Sequence, residues 1–440
     1  MTAMPTGNSA QEHCAFGDLP TSRLHYLAAT GVFGGVISDG YSFGSIGAVL
    51  PSVSDTLKST VWDVGAIGSG TLFGLLSGCL FVGIAADRFG RKPLLCIGMA
   101  LAAVISILQG FVTSSNQLIS LRFLLGIVLA ADYVAGASYQ SEFSRTSHRT
   151  SLLSAMMLFW GIGFALAYQI GFLLCTSFTE GWRWCLMLGA LPTALTCALR
   201  LWLPESPLWL HAQTRTAEAA RIILRHFPRH KVVFPEHERS VVAQASWRVL
   251  FSKKIGGRVL IAITVLLGQI VPYFLIGIFL LRILSQLGIK SPYVSSVIYT
   301  FFIIIGSFIG VLIMNRIKRR DFIIFTFLIC GIDLLLMASG IFSSPVIVIV
   351  LFSIFAAVIS AASCAQYVYF PELFPVGVRT SAQGLAQSTS RIFAAMITLT
   401  IPRLTQGLGI DNVLYLTGIW MLAAGFICWF YAPETRGVPV

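Results

Sequence analysis

Asp39, Asp132 and Arg391 are ionisable residues set deep within long apolar runs of the chain. A charge at the centre of a bilayer costs about 2.5–3.5 kcal/mol even on the lenient insertion scale, so such a residue faces a cavity or a partner. At ~1.5 Å of helical rise per residue, Asp39 lies ~20 Å from Arg23 and His25, Asp132 ~15 Å from Glu142, and Arg391 ~18 Å from Arg379. All three can share one central layer, with Arg122 nearer the outer face. Burial and a nearby cation pull a carboxyl pKa in opposite directions. An Asp in a cavity open alternately to each side can therefore take up and release a proton. Asp39 and Asp132 are assigned as a proton-coupling pair tuned by Arg122; the alternative is that one of them only ties helices together. Arg391 has no acid in its own span and suits forked contacts with a carboxylate or phosphate. Its alternative is an internal ion pair with one of the acids, which leaves a neutral or cationic substrate.

Around these charges, Gln269, Tyr273, Gln366, Tyr367 and Gln387 are candidate substrate contacts, and Tyr133, Trp160 and Gln169 weaker ones. For each, a packing or interspan contact is the alternative. Asp333 has no functional reading beyond a protonated or locally bonded acid. A second set, Asp87, Arg88, Arg91, Glu142, Arg149, Glu205, Glu372, Arg379 and Glu434, lies at span ends, where two halves would touch when closed. Partly exposed ion pairs are worth ~0–1 kcal/mol each, which suits a latch that must open. The alternative is charge that only sets topology, and Arg316 to Arg320 are read that way.

The elements that position these groups follow from composition. Hydrophobic residues make up 56% of 440 and charged residues 11%, against about 25% charged in a soluble domain. Runs of the ~20 apolar residues that a spanning helix needs occur at 25–51, 62–85, 93–113, 117–141, 151–176, 183–203, 258–284, 293–314, 322–342, 345–371, 381–402 and 411–432. With no water in the hydrocarbon, the backbone must satisfy itself, and the alternation of barrel strands is absent, so helices are expected. The net charge of +12 sits mostly in every second connection. That pattern places both termini in the cytoplasm, and contact with anionic lipid accounts for it without nucleic acid.

The expected fold is an all-α membrane protein of 12 transmembrane helices in two pseudo-symmetric six-helix halves. Residues 1–24 form a disordered cytoplasmic tail, 25–203 the first half, 258–432 the second and 433–440 a short tail. The connection 204–257 is polar, with an amphipathic stretch whose Ala220, Ile223, Leu224 and Phe227 share one face on the membrane surface. An internal repeat supports this division. Glu142 and Arg149 recur as Glu372 and Arg379, Pro204-Glu205 as Pro433-Glu434, and Asp87-Arg88 as Asn315-Arg316, all offset by 228 to 230 residues. Asp39 recurs as Gln269. Duplicated halves with a site where they meet near the midplane is a transporter architecture.

The stretches Gly83 to Lys92, Arg122-Phe-Leu-Leu-Gly126, Trp182-Arg183-Trp184, Pro204-Glu205-Ser206-Pro207, Pro371-Glu372-Leu-Phe-Pro375 and Pro433-Glu434-Thr435 resemble the major facilitator superfamily. Together they look like its branch of sugar porters, phosphate and aromatic-acid symporters and organic-ion transporters. Sugar porters usually carry Gly-Tyr-Asp in the first span; here Gly40-Tyr41 is followed by Ser42. Asp39-Gly40-Tyr41 is instead similar to the Asp-Gly-Tyr-Asp of aromatic-acid symporters, with the second Asp lost. Ala130-Ala131-Asp132-Tyr133 looks like the Gly-Gly-Asp-Tyr of organic-acid symporters, and Ser390-Arg391-Ile392 like the Ser-Arg-Ile of organic-ion transporters.

The expected function is proton-coupled uptake of a small organic anion, an aromatic or nicotinate-like carboxylate, by a monomer in a bacterial inner membrane. A carrier or exporter of a neutral or cationic solute is the alternative, phosphate is less favoured, and a non-transporting nutrient sensor is remote. No Walker-type glycine loop occurs, so ATP is not expected to drive it. The nine cysteines show no CxxC spacing. No enzyme activity, metal or cofactor is expected.

Overall fold

The computed structural model describes residues 12–15, 19–228, 230–233, 252–287, 291–314, 316–341, 344–374 and 379–436. The first six long helices are α1 (Arg23–Thr56), α2 (Val61–Phe89), α3 (Arg91–Gln109), α4 (Ser115–Glu142), α5 (Arg149–Ser177) and α6 (Gly181–Leu201). Two short helices follow, α7 (Pro207–Ala212) and α8 (Thr216–His226). The second six are α9 (Lys253–Gln286), α10 (Pro292–Met314), α11 (Arg319–Ala338), α12 (Pro345–Ser363, resumed over Gln366–Leu373), α13 (Arg379–Leu408) and α14 (Ile410–Tyr431). These twelve long helices correspond to the twelve expected spans.

Among the described residues, nine helices are long and apolar enough to cross a membrane on composition alone. Neither α1 nor α13 is among them, and these two carry the polar residues of the centre: Ser38, Asp39, Ser42 and Ser45 on α1, and Gln383, Gln387, Ser390 and Arg391 on α13. A helix lining a polar interior sheds hydropathy on the face that never meets lipid.

Packing repeats as the sequence does. In the first half α1 packs on α5, α2 on α4 and α3 on α6; in the second α9 packs on α13, α10 on α12 and α11 on α14. The halves join through α2 against α13, α5 against α10 and α1 against α9. They approach most closely at the end remote from Arg88 and Arg379. There a Cβ on Gly65 would lie 2.1 Å from the Leu399 carbonyl, so a glycine is needed for the two backbones to touch. Nearby, the Tyr168 hydroxyl donates to the Gly277 carbonyl, and Gln169 Nε2 donates to Thr300 Oγ1 at 3.2 Å.

Two expectations change here. The tail, expected without structure, contributes β1 (Glu12–Ala15), which pairs in parallel with β2 (His230–Val233) of the connection. On α8 the inward face is Ala219, Ile223 and Phe227, whereas Ala220 is exposed and Leu224 is 57% exposed. The i, i+4, i+8 row wins because Phe227 docks edge-on to His25 of α1, ring centroids 5.6 Å apart.

Candidate functional site

Asp132 begins a π-helical turn, Asp132–Gly136, in the middle of α4. Such an extra residue per turn is a frequent device at functional sites. The cation beside Asp132 is Arg200 of α6, not the Arg122 expected from the sequence. Arg200 is fully buried and donates from Nη2 to Asp132 Oδ1. It also donates from Nε to the Gly31 carbonyl at 2.9 Å and from Nη1 to the Leu95 carbonyl at 3.0 Å. One guanidinium thus ties α6 to α1, α3 and α4. A Cβ on Gly35 would sit 1.9 Å from Arg200 Nη2 and 2.8 Å from Asp132 Oδ1, so α1 must be bare there.

Arg122 fails as the partner for a simple reason: it is ten residues up α4, about 15 Å along the axis. It is buried and donates from Nη1 to the Ser42 carbonyl at 2.9 Å. Sequence reading passed over Arg200 because, close to the end of its span, it reads as an interfacial cation reaching for lipid headgroups.

Arg391 projects from α13 over the ring of Tyr133, 4.8 Å from its centroid. The Tyr133 hydroxyl accepts from Trp160 Nε1 at 3.1 Å. Asp39, Cys79, Tyr133 and Tyr367 all lie within electrostatic reach of Arg391, so α1, α2, α4, α12 and α13 converge on one layer. Within it, Arg391 Nη1 and Asp39 Oδ1 are buried without a hydrogen-bond partner among the described residues. Among the described residues no ion pair joins Arg391 to Asp39 or Asp132.

The remaining polar candidates divide. Tyr273 stands edge-on to Trp160 at 5.5 Å, which places it on the layer's wall. Gln387 is half-buried one turn before Arg391 on α13. Gln269 ties α9 to α12 by donating to the Ala362 carbonyl at 2.8 Å, with its Oε1 buried and unmatched. Gln366 Nε2 reaches Met157 Sδ at 3.3 Å, and Gln169 bonds Thr300; both bridge the halves instead of facing the layer. Asp333 is buried on α11 beside Cys330.

Among the described residues the end charges form two networks, one in each half. In the first, Arg91 Nη2 meets Glu142 Oε1 at 2.9 Å, and Ser206 Oγ bonds the other Glu142 oxygen. Glu205 accepts from the Arg91, Lys92 and Ser206 amides at 2.9–3.3 Å. In the second, Arg319 Nη2 meets Glu372 Oε1 at 3.6 Å, and Thr435 Oγ1 donates to Glu372 Oε2 at 2.6 Å. Glu434 accepts from the Arg319, Arg320, Thr435 and Arg436 amides at 2.9–3.2 Å. A carboxylate on the free amides of a helix start is favoured by the helix dipole. Gly90, with φ of 98°, makes the turn that admits Glu205: a Cβ there would lie 2.4 Å from its carboxylate. Arg88 lies over Phe89 at 5.5 Å, and Arg149 is exposed and bonds Ser141. The side chains of Asp87 and Arg379 lie outside the described residues. Arg319, read as topological charge, belongs to the network; its offset of 228 from Arg91 was the available signal.

Two crevices of about 580 and 630 Å³ open elsewhere, against Arg258 and Tyr431 and against Phe73 and Phe123, and none of the layer residues lines them.

Comparison with known proteins agrees with this architecture. The chain is 32% identical to the inner membrane metabolite transport protein YgcS of Escherichia coli, over 96% of this chain and 94% of that one. It is 28% identical to the 4-hydroxybenzoate transporter PcaK of Pseudomonas putida over 61% of each. The solved xylose transporter XylE from E. coli, in a partially occluded inward open conformation, superposes with a TM-score of 0.80 at 16% identity, covering 95% of this chain and 100% of that one. Residues 27–440 match the family described as sugar (and other) transporter, and with that match the chain belongs to this family of membrane transporters within the major facilitator superfamily.

Proposed function

We propose that the protein takes up a small organic carboxylate together with protons, by alternating access, across a bacterial inner membrane with both termini cytoplasmic. The observation that carries this reading is Arg391: a guanidinium in the central layer with a buried Nη1 that has no partner, and no acid paired to it, among the described residues. A substrate carboxylate supplies the missing acceptor, and charge-assisted contacts of this kind are short and strong. Tyr133, Trp160, Tyr273 and Tyr367 give the ring of an aromatic acid apolar walls to lie against. Asp39, with one unmatched oxygen facing the same layer, is the proton acceptor. Asp132 is the second acid, and a proton on it weakens the tie to Arg200 that joins α4 to α6, while the Arg200 bonds to the Gly31 and Leu95 carbonyls remain. The 4-hydroxybenzoate activity in PcaK's name supports the substrate class. The protein works as a monomer, and the end networks hold each half rigid while the halves rock.

A second reading, a neutral sugar as substrate, draws on XylE and the family description. Proteoliposomes with an inward proton gradient separate the two. Labelled 4-hydroxybenzoate accumulates, a protonophore abolishes the accumulation, and Arg391→Gln raises the half-saturation concentration at least ~10-fold, the weight of one lost charged hydrogen bond. Accumulation of xylose, with no effect of aromatic acids, establishes the sugar reading instead.

A further inference from the structure

Arg122 is a buried cation that no described residue neutralises. Its side chain is fully enclosed, and Nη1 donates to the Ser42 carbonyl at 2.9 Å. Nε and Nη2 are buried with no partner among the described residues, and among those residues no carboxylate forms an ion pair with it. The contrast is Arg200, equally buried, whose Nε, Nη1 and Nη2 all bond protein oxygens and whose charge meets Asp132. Gly70 of α2 packs on Arg122 so closely that a Cβ there would lie 3.2 Å from the Arg122 Cβ, so α2 closes over the base of the side chain.

A guanidinium stays charged at any physiological pH. Enclosed in protein without a counter-ion it is heavily penalised, whereas unmatched guanidinium N–H groups make a favourable setting for a small anion. We propose that Arg122 holds a small monovalent anion of halide size on its Nε and Nη2 between α1, α2 and α4, in the half of the membrane remote from the end networks. This site is separate from the Arg391 layer.

The test is thermal unfolding of the purified protein in sodium chloride against sodium gluconate at equal ionic strength. The midpoint is expected to rise saturably with chloride, by about 3 °C. Arg122→Gln loses that rise and Arg391→Gln keeps it, whereas a rise produced by benzoate is lost in Arg391→Gln, so this site and the substrate site fail independently. A wild-type midpoint indifferent to chloride, or a full chloride response in Arg122→Gln, overturns the proposal.

Discussion

The two halves agree at their ends and disagree at their centre. Arg91, Tyr139, Glu142 and Glu205 have counterparts in Arg319, Tyr369, Glu372 and Glu434, down to the hydroxyl of each tyrosine donating to a proline carbonyl, at 2.8 Å on Pro204 and 3.0 Å on Pro433. In the central layer the same offsets relate Asp39 to Gln269, Asp132 to Ala362 and Arg200 to Trp429. An acid pair with its cation in the first half is replaced by an amide bonded to a backbone carbonyl in the second. Arg391 in turn corresponds to Gly161. Interactions that keep a half in shape have been held at both copies; the ionisable groups of the central layer are present in one copy each.

Removing Arg200 tests this contrast most severely. Arg200→Ala strands Asp132 as a buried unpaired acid, and breaking one side of such a pair destabilises by about 3–5 kcal/mol. Thermal unfolding should register a large loss, or no folded protein at all. Its counterpart Trp429 is 48% exposed, so Trp429→Ala should lower the midpoint far less. The double variant Arg200→Met with Asp132→Asn should regain most of the stability, because no charge is left stranded, and still fail to accumulate substrate. Equal losses at Arg200 and Trp429 would erase the asymmetry of the centre.

The acids come next. Asp39→Asn should lower proton-driven accumulation ~10-fold or more, since it removes one of the two proposed proton acceptors, while exchange of substrate across proteoliposomes without a gradient continues. Gln269→Asn at the equivalent place should leave the gradient dependence intact and only loosen α9 against α12, by the ~1 kcal/mol of one hydrogen bond. Normal accumulation by Asp39→Asn removes Asp39 from the coupling role.

The bundle was legible in the sequence because membrane spanning leaves coarse marks: apolar runs of helical length, alternating basic connections and an offset shared by several motifs. Asp39, Asp132 and Arg391 were legible for the same reason, as charges where lipid tolerates few. Partnership was not. Which cation reaches Asp132 depends on how α6 crosses α1 and α4, a three-dimensional fact to which spacing along α4 says nothing. For Gln169 and Gln366 the choice between substrate and interspan contact stayed open likewise, because a polar residue at mid-span looks the same whether it faces a cavity or a neighbouring helix; both make interspan contacts. For the end charges the repeat reveals that two sets match, without revealing which partner each carboxylate takes inside its own half.

The smallest effects belong to those ends, and there the halves should behave as twins. Glu205→Gln and Glu434→Gln each weaken a carboxylate cap on a helix start, and each should cost about 1 kcal/mol. Arg91→Ala and Arg319→Ala remove partly exposed pairs worth ~0–1 kcal/mol, with the shorter Arg91–Glu142 contact at the upper end. If these networks only stiffen each half, Glu205→Gln and Glu434→Gln shift the unfolding midpoint alike and leave the half-saturation concentration unchanged. A latch between halves predicts another outcome: one or both variants would favour a single orientation of the site, and substrate affinity measured from the two membrane faces would diverge. Unequal midpoint shifts with unchanged affinity would show that even the scaffold of the two copies has begun to drift apart.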